Sequence, residues 1–190
     1  EYVKLLAGTG VAVYDTRKTT PGWRRLEKYA TRCGGAVNHR NGLHDAILIK
    51  DNHLAACAAT LSGDDGSDVI GNAIGKSREL IQDVVAAGNS IAATMPIEVE
   101  VDTLEQLQIA LAYHPDVVLL DNMSNDQLRS AVAMRSDVAS EVQLEASGGV
   151  TQQTIRAIAE TGIDRISVGA LTHSAKSLDV ALDWNSTGSD

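Results

Sequence analysis

The chain has 190 residues, of which 44% are hydrophobic and 22% charged, a composition typical of a water-soluble globular protein with one real core. Its net charge of −9 argues against wholesale binding to nucleic acid, and the sequence holds no apolar run near the roughly 20 residues needed to cross a bilayer. The two cysteines, Cys33 and Cys57, match no metal-ligand spacing, so we expect free thiols in a cytoplasmic protein without nucleic-acid or membrane partners.

Short runs rich in β-branched residues alternate with helical segments along the chain. The opening stretch EYVKLLAGTG indicates a helix that ends at Gly8 or Gly10, and it reads as part of something longer. Strands are predicted at 11–15, 46–52, 97–102, 117–122, 142–149 and 165–171. Helices, recognised by apolar residues three and four apart, are predicted at 22–33, 68–88, 103–114, 125–135 and 151–162. Such alternation predicts a parallel sheet with right-handed crossovers.

Several residues mark where these elements begin and end. Gly88 and Gly162 stand where helices should stop, and Thr103 and Thr151 have the character of N-caps. Thr103 is followed three residues later by Gln106, the pattern of a capping box. The stretch 61–71, rich in Gly, Asp and Ser, is predicted to be an exposed loop.

The spacing of the strands distinguishes a barrel from an open dinucleotide-binding sheet. Successive strands in the second half begin about 20 to 25 residues apart, which is the compact repeat of a β/α barrel. The turn after the first strand lacks the Gly-x-Gly-x-x-Gly pattern. We therefore predict that residues 1–190 form a single catalytic domain, an incomplete parallel β/α barrel of about six strands.

Ionisable and polar residues recur at the carboxyl ends of the predicted strands. Strands of a parallel sheet covered by helices are usually apolar, so charges repeated at one end are costly unless they line a shared pocket. In barrel enzymes that end carries the active site. The residues concerned are Asp15, Arg17, Lys18, Lys50, Asp51, Asn52, His53, Glu98, Glu100, Asp102, Asp121, Asn122, Glu145, Ser147, Gly169, Thr172 and His173.

The predicted pocket has a cationic half and an acidic half. The cationic half, suited to a ligand with several carboxylates or phosphates, comprises Arg17, Lys18, His39, Arg40 and Lys50. Glu100 and Asp121 suit sugar hydroxyls or a hydrated magnesium ion, held directly or through water. The Gly-rich turns at 146–149 and 168–170 offer backbone N–H groups to a phosphate. Together these features indicate a phosphorylated sugar and a polyanionic partner.

The quoted motifs resemble one enzyme family. The stretch 15–53, DTRKTTPGWRRLEKYATRCGGAVNHRNGLHDAILIKDNH, resembles the quinolinate phosphoribosyltransferase family, and EVEVDTLEQL, LLDNM, LEASGGV and SVGALTHS resemble it in the same order. The resemblance implies an incomplete α/β barrel of the type II phosphoribosyltransferases. It implies transfer of phosphoribose from phosphoribosyl pyrophosphate to quinolinate with magnesium, giving nicotinate mononucleotide, pyrophosphate and carbon dioxide in NAD biosynthesis.

The resemblance also assigns roles to residues. It implies that quinolinate is bound by Arg17, His39, Arg40 and Lys50. It implies that phosphoribosyl pyrophosphate is bound by Lys18, Lys50, Glu100, Asp121, Ser147, Gly148 and Gly169, with Glu100 and Asp121 also serving magnesium. Family members carry a separate N-terminal domain that supplies dimer contacts and an arginine to the neighbouring site. That domain is not recognisable in this chain, and we expect a homodimer or higher assembly in the full-length protein.

Alternatives remain open. Lys50 beside acids at a strand end also fits the Schiff-base lysine of an aldolase. A type II relative could act on another base, such as nicotinate, or be one of the molybdenum-associated homologues. The chain could also be a phosphosugar-binding core that is inactive without the N-terminal domain. His173 and Ser174 fit either the site or a cap of the last helix.

Overall fold

The computed structural model describes residues 1–60 and 68–183. Of the predicted loop at 61–71, residues 61–67 lie outside the described residues. The strands are β1 Ala12–Tyr14, β2 Ile47–Ile49, β3 Ile97–Val101, β4 Val117–Asp121, β5 Gln143–Ser147 and β6 Arg165–Ser167. The helices are α1 Tyr2–Leu5, α2 Arg24–Cys33, α3 Asp51–Thr60, α4 Val69–Ala86, α5 Leu104–Ala112, α6 Asn125–Val138, α7 Ile155–Ala159 and α8 Ala170–His173, with a 3₁₀ turn at Ser90–Thr94.

The six strands form one parallel sheet in the order β1-β6-β5-β4-β3-β2. This is the cyclic order of a barrel that is open between its first two strands, so the prediction of an incomplete barrel is confirmed. Beside β1, the backbone of Val37 lies in the opening: its N–H donates to the Val13 carbonyl at 2.8 Å, and its carbonyl accepts from Asp15 N–H at 3.1 Å. The segment after Val37 therefore runs where a further strand would close the barrel.

The hydrophobic core lies between the sheet and its surrounding helices. Alternate strand residues point outward and meet apolar helix residues, as the two-residue period of a strand requires. The sheet contributes Val99, Val101, Val118, Leu120, Leu144, Ala146 and Ile166, and the helices contribute Ile74, Leu107, Leu111, Leu128 and Ile155. This core carries the apolar burial, which frees the opposite face of the strands to be polar.

Most predicted boundaries are confirmed. The Thr103 side chain accepts the Gln106 N–H at 3.2 Å, although the Gln106 side chain accepts from Asp102 N–H instead of completing a capping box. Gly88 and Gly162 adopt φ values of +100° and +95° just after α4 and α7, as helix-ending glycines do.

Three predictions at element boundaries were wrong. The helix expected from Thr151 begins at Ile155, because Thr151 to Thr154 form a separate turn in which the Thr151 hydroxyl accepts the Thr154 N–H. The strand predicted over 46–52 ends at Ile49, where His53 Nδ1 accepts the Lys50 N–H at 2.9 Å and closes a tight turn into α3. The strand predicted over 165–171 ends at Ser167, because Ala170 and Leu171 belong to α8. Helix α3 was not predicted. None of the described helices combines the length and apolarity that crossing a bilayer requires.

Candidate active site

A cavity of about 520 Å³ opens at the carboxyl ends of the strands. Eight of the ten residues predicted for the site line it, namely Arg17, Lys18, His39, Arg40, Lys50, Glu100, Asp121 and Ser147. Gly148 and Gly169 lie beside the lining, next to Ser147 and near the side chain of Lys18. The structure thus brings residues from five strand ends to one cavity, while their individual roles stay predictions.

The inner face of the sheet supplies most of this lining through strict alternation. In register, Glu100 pairs with Leu119, Leu119 with Glu145, and Asp121 with Ser147. The lining residues that were given no role in the prediction are Thr16, Leu48, Leu119, Ser167 and Glu145, of which Glu145 alone was expected at its strand end. Counting back by two from a predicted residue at each strand end finds four of them. Leu48, Leu119, Glu145 and Ser167 lie two residues before Lys50, Asp121, Ser147 and Gly169.

On the acidic side of the cavity, carboxylates stand on neighbouring strands. Glu100 on β3 forms an ion pair with Lys50, which directly follows β2. Asp121 ends β4, and its Oδ2 accepts from the Asn122 amide at 2.7 Å. Glu100 and Asp121 therefore offer hard oxygen atoms to a cation or to hydroxyl groups from one side of the cavity.

The turn after β5 requires glycine. Gly148 has φ of +90°, and a Cβ there would lie 2.1 Å from Asn122 Oδ1. Asn122 in turn donates its N–H to the Ser147 carbonyl at 2.9 Å, with φ of +54°. The turns after β4 and β5 are thus interlocked at the cavity edge. Because α7 begins only at Ile155, this turn offers its own N–H groups and not the first turn of the helix.

At the β1 edge of the sheet, a hydrogen bond links α8 to the loop after β1. The buried Thr172 hydroxyl donates to the Lys18 carbonyl at 2.7 Å and so ties Lys18 to α8. A Cβ on Gly169 would lie 2.8 Å from His173 Nε2, so the imidazole rests on this glycine. His173 Nδ1 lies 2.7 Å from the Ser174 hydroxyl at the end of α8. These contacts place both residues at the helix end beside Gly169.

Two arginines bring positive charge to the cavity, which Glu98 and Asp45 offset only in part at Arg40. Arg17 Nε is buried without a hydrogen-bond partner among the described residues. Burial first, and then the charge of Arg17, lower the pKa of Arg40. Mutual repulsion between two guanidinium groups is unfavourable unless an anion joins them. This pair is the clearest sign of a ligand with more than one negative charge.

His39 and Arg40 lie on the irregular segment in the barrel opening. In the neutral form of His39, Nδ1 accepts the Arg40 N–H at 2.9 Å, and Nε2 carries the proton and meets Glu98 Oε2 at 3.0 Å. Arg40 Nη1 donates to the Ala46 carbonyl at 3.3 Å, just before β2. The segment therefore joins the two edges of the sheet through side chains.

A buried charged cluster adjoins the cavity, and two of its members, His39 and Glu145, also line the cavity. Arg165 Nε lies 2.6 Å from Glu145 Oε2, and its Nη2 lies 3.4 Å from Glu98 Oε2. His39 Nε2 is 3.7 Å from Glu145 Oε1. His39, Glu98 and Glu145 lie near enough to one another to hold a metal ion, but Arg165 already supplies the positive charge there.

The cluster shifts the protonation of its members in different directions. Burial, reinforced by the charge of Glu98, raises the pKa of Glu145. Burial opposes ionisation of Glu98, but hydrogen bonding to His39 and its charge outweigh it and lower the pKa of Glu98. Burial likewise disfavours the charged form of His39, yet Glu98 and Glu145 together raise the pKa of His39.

Comparisons with known proteins agree with the geometry. A family model described as quinolinate phosphoribosyl transferase, C-terminal domain, matches residues 1–183. The chain is 44% identical over 182 residues to the nicotinate-nucleotide pyrophosphorylase (carboxylating) of Mycobacterium leprae, covering 96% of this chain and 57% of that protein. It is 43% identical over 183 residues to the probable enzyme of the same name from Bacillus subtilis, covering 96% and 55%.

Solved structures of nicotinate-nucleotide pyrophosphorylases share the fold of this chain. The nicotinate-nucleotide pyrophosphorylase from Francisella tularensis superposes with a TM-score of 0.75 at 40% identity, covering 94% of this chain and 54% of that one. NadC from Streptococcus pyogenes superposes with a TM-score of 0.74 at 39% identity, with the same coverage. The chain spans about half the length of the curated relatives it matches.

Proposed function

Since the chain belongs to the family described as quinolinate phosphoribosyl transferase, C-terminal domain, we propose that it transfers phosphoribose from phosphoribosyl pyrophosphate to quinolinate. The products are nicotinate mononucleotide, pyrophosphate and carbon dioxide, a step of NAD biosynthesis. The observation that carries this proposal is the cavity itself, where neighbouring guanidinium groups of Arg17 and Arg40 face a carboxylate side formed by Glu100 and Asp121. Such a cavity fits a dicarboxylate beside a phosphorylated sugar.

The cationic side binds quinolinate. Arg17 and Arg40 can each present two parallel N–H groups to a carboxylate, which fixes a planar dicarboxylate in orientation as well as position. His39, held by Glu98, and Lys50, paired with Glu100, complete that side. The ring nitrogen is then directed towards the acidic side, where the sugar lies.

The acidic side binds phosphoribosyl pyrophosphate with magnesium. Glu100 and Asp121 fit a hydrated magnesium ion, which favours oxygen ligands and keeps several waters. When bound, magnesium would neutralise charge on the pyrophosphate. Lys18 and Lys50 meet the phosphates, and the interlocked turn at Ser147 and Gly148, with Gly169, surrounds the 5′-phosphate.

The chemistry follows from positioning and electrostatics. As the bond from the anomeric carbon to pyrophosphate breaks, positive charge develops on the sugar, and Glu100 and Asp121 face it. The pyridine nitrogen, aligned by its clamped carboxylates, forms the new bond to that carbon. The quaternised ring accepts the electron pair left when the 2-carboxylate departs as carbon dioxide, and a solvent proton replaces it. A protein nucleophile is unnecessary.

Further properties complete the proposal. We also propose that the chain acts in the cytoplasm and that the full-length protein is a homodimer or a higher assembly. Membership of the family argues against the aldolase alternative. A related phosphoribosyltransferase with another base, and a binding core inactive without the N-terminal domain, remain as outcomes of the test below.

Calorimetric titration of the chain with quinolinate, and separately with phosphoribosyl pyrophosphate plus magnesium, tests the proposal. An assay for nicotinate mononucleotide follows. Binding of both with product supports the full proposal, whereas binding without product identifies an inactive core. Binding of nicotinate in preference to quinolinate points to the other base.

The role of Lys50 has its own test. Lys50→Ala should lower turnover by about two orders of magnitude, because it removes a cation that meets both substrates. Lys76→Ala, an exposed lysine on α4, is the matched control and should leave turnover unchanged. Wild-type kinetics in Lys50→Ala would refute this role.

A further inference from the structure

A buried ion pair lies behind the cationic side of the cavity. Lys28 on α2 and Asp15, directly after β1, are 3% and 0% exposed, and Lys28 Nζ lies 2.6 Å from Asp15 Oδ1. Removing two charges from water costs free energy that their attraction barely repays, so a buried ion pair alone is a weak source of stability. Its contacts show what else it does.

Both partners hold the main chain of one residue, His39. The His39 N–H donates to Asp15 Oδ1 at 2.8 Å, and Lys28 Nζ donates to the His39 carbonyl at 2.8 Å. The Asn38 side chain extends this grip, since its amide donates to Asp15 Oδ2 at 2.6 Å and to the Lys28 carbonyl at 2.9 Å. The peptide groups on both sides of His39 are therefore fixed by side chains.

Pairing with β1 could not satisfy the main-chain groups of His39. Past Val37 the segment has left the β1 ladder, and backbone N–H and C=O groups shielded from water need partners. A carboxylate supplies an acceptor and an ammonium group supplies a donor. An apolar pair of equal volume would fill the space but leave both groups of His39 unsatisfied.

Fixing this main chain also fixes the two side chains that face the cavity. The Arg40 N–H is held on His39 Nδ1 at 2.9 Å, which turns the opposite ring nitrogen towards Glu98. The Arg40 side chain starts from the same peptide group that Lys28 holds by its carbonyl. Asp15 and Lys28 are buried behind the cavity wall, so any effect on a ligand passes through His39 and Arg40.

We propose that the Asp15–Lys28 ion pair is a positioning device that sets His39 and Arg40 for a ligand carboxylate. The inference rests on the proposed function, because it assigns these two residues to quinolinate. The pair acts on one half of the cavity. Lys18 is tied separately, through Thr172 on α8, so the sugar-phosphate side does not depend on Lys28.

The experiment compares three variants of the 190-residue chain. Lys28→Met removes the donor to the His39 carbonyl but leaves the buried charge of Asp15 without a partner. The double variant Asp15→Asn/Lys28→Met removes that charge as well. An effect on ligand binding in the double variant is therefore not caused by an unpaired buried charge that destabilises the fold. Arg135→Met is the matched control, because it breaks the Arg135–Asp164 ion pair, which is partly buried and lies away from the cavity.

Two readouts are needed. Amide hydrogen exchange without ligand should become at least about tenfold faster at His39 and Arg40 in the double variant, relative to amides of β4. Asp15→Asn leaves one acceptor oxygen for two donors, the His39 N–H and the Asn38 amide, and Lys28→Met frees the His39 carbonyl, so the main chain that carries both amides is no longer fixed. Affinity for quinolinate should fall about tenfold or more, the loss expected for one misplaced charged hydrogen bond. Affinity for phosphoribosyl pyrophosphate with magnesium should change less than about twofold, and the control should change in neither readout.

The outcomes distinguish this inference from the proposed function. Unchanged exchange at His39 and Arg40 with wild-type quinolinate affinity in the double variant overturns the positioning role. Equal loss of both ligands also overturns it, since that indicates general disruption. If the wild-type chain does not bind quinolinate while exchange responds as expected, the proposed ligand is wrong and the positioning role stands.

Discussion

Replacing Arg165 by methionine would test the buried charged cluster most directly. Arg165 lies 2.6 Å from Glu145 and 3.4 Å from Glu98, and its guanidinium stacks 4.7 Å from the centre of the Tyr14 ring. Both carboxylates are almost fully buried, at 0% and 2% exposure. Methionine keeps much of the side-chain volume but removes the cation, so the two carboxylates keep only the weaker compensation of His39 and, for Glu98, of the Arg40 charge.

The expected magnitude follows from this burial. Removing one partner of a buried ion pair typically costs about 3 to 5 kcal/mol, because the remaining charge stays out of water without compensation. Protonation of Glu145, whose pKa burial already raises, would relieve part of that cost at lower pH. We therefore expect a loss of about 3 kcal/mol or more in the free energy of unfolding at neutral pH, and a smaller loss near pH 5.

Urea unfolding followed by circular dichroism at both pH values measures this loss. Arg129→Met is the control, because Arg129 pairs with Asp126 at 2.7 Å on the surface, where the side chains are 56% and 94% exposed. Such a pair is worth about 0 to 1 kcal/mol. The double variant Arg165→Met/Glu145→Gln should recover part of the stability by removing one stranded charge. If Arg165→Met cost no more than Arg129→Met, the cluster would not be the buried charge network inferred from its geometry.

Three further predictions concern single sites. Gly148→Ala should lower the free energy of unfolding by about 1 to 3 kcal/mol, since its φ of +90° strains any side chain and its Cβ would overlap Asn122; an unchanged urea midpoint would contradict the interlocked turns. Ser124→Ala should cost about 1 kcal/mol because Ser124 and Gln127 form a reciprocal capping box on α6, and thermal unfolding of the same variant checks it. Folding raises the pKa of His39, because Glu98 and Glu145 stabilise its protonated form. This stabilisation is fully present at pH values below the ordinary histidine pKa of about 6.5, and it is lost as the pH rises through the raised pKa. The free energy of unfolding should thus fall as pH increases above about 6.5, less steeply in His39→Gln, and equal slopes in the two proteins would contradict the shift.

The sequence predicts the sheet well because β-branched runs and helical periodicity are local signals. All six strands lie where the runs lie, and the helices between them follow. Helix α3 escaped prediction because the apolar run of β2 passes directly into Lys50 and Asp51, with no glycine or proline between them. The turn there is made by the His53 side chain accepting the Lys50 N–H, a contact that propensity does not reveal.

For the site, the strand-end residues follow from a geometric rule, whereas the irregular ones were named only for their charge. Lys50, Glu100, Asp121 and Ser147 follow from one rule, that polar groups at the carboxyl ends of parallel strands converge. His39 lies on no strand: it was predicted for the cavity as part of a cationic group, and only its role towards quinolinate was implied by family resemblance. Its position depends on contacts from residues far along the chain, which a local pattern cannot supply.

The irregular segments allow an arrangement that a regular barrel forbids. In a strand, successive side chains point to opposite faces, so two adjacent residues cannot both face the interior. Yet Arg17 and Lys18 both line the cavity, as do His39 and Arg40. Each of these pairs lies just beyond or beside β1, where the ladder stops and side chains take over the hydrogen bonding of the main chain. Leaving the barrel open next to β1 thus concentrates four cationic or ionisable groups on one side of the cavity, and buried contacts such as Asp15 with Lys28 hold that opening in shape.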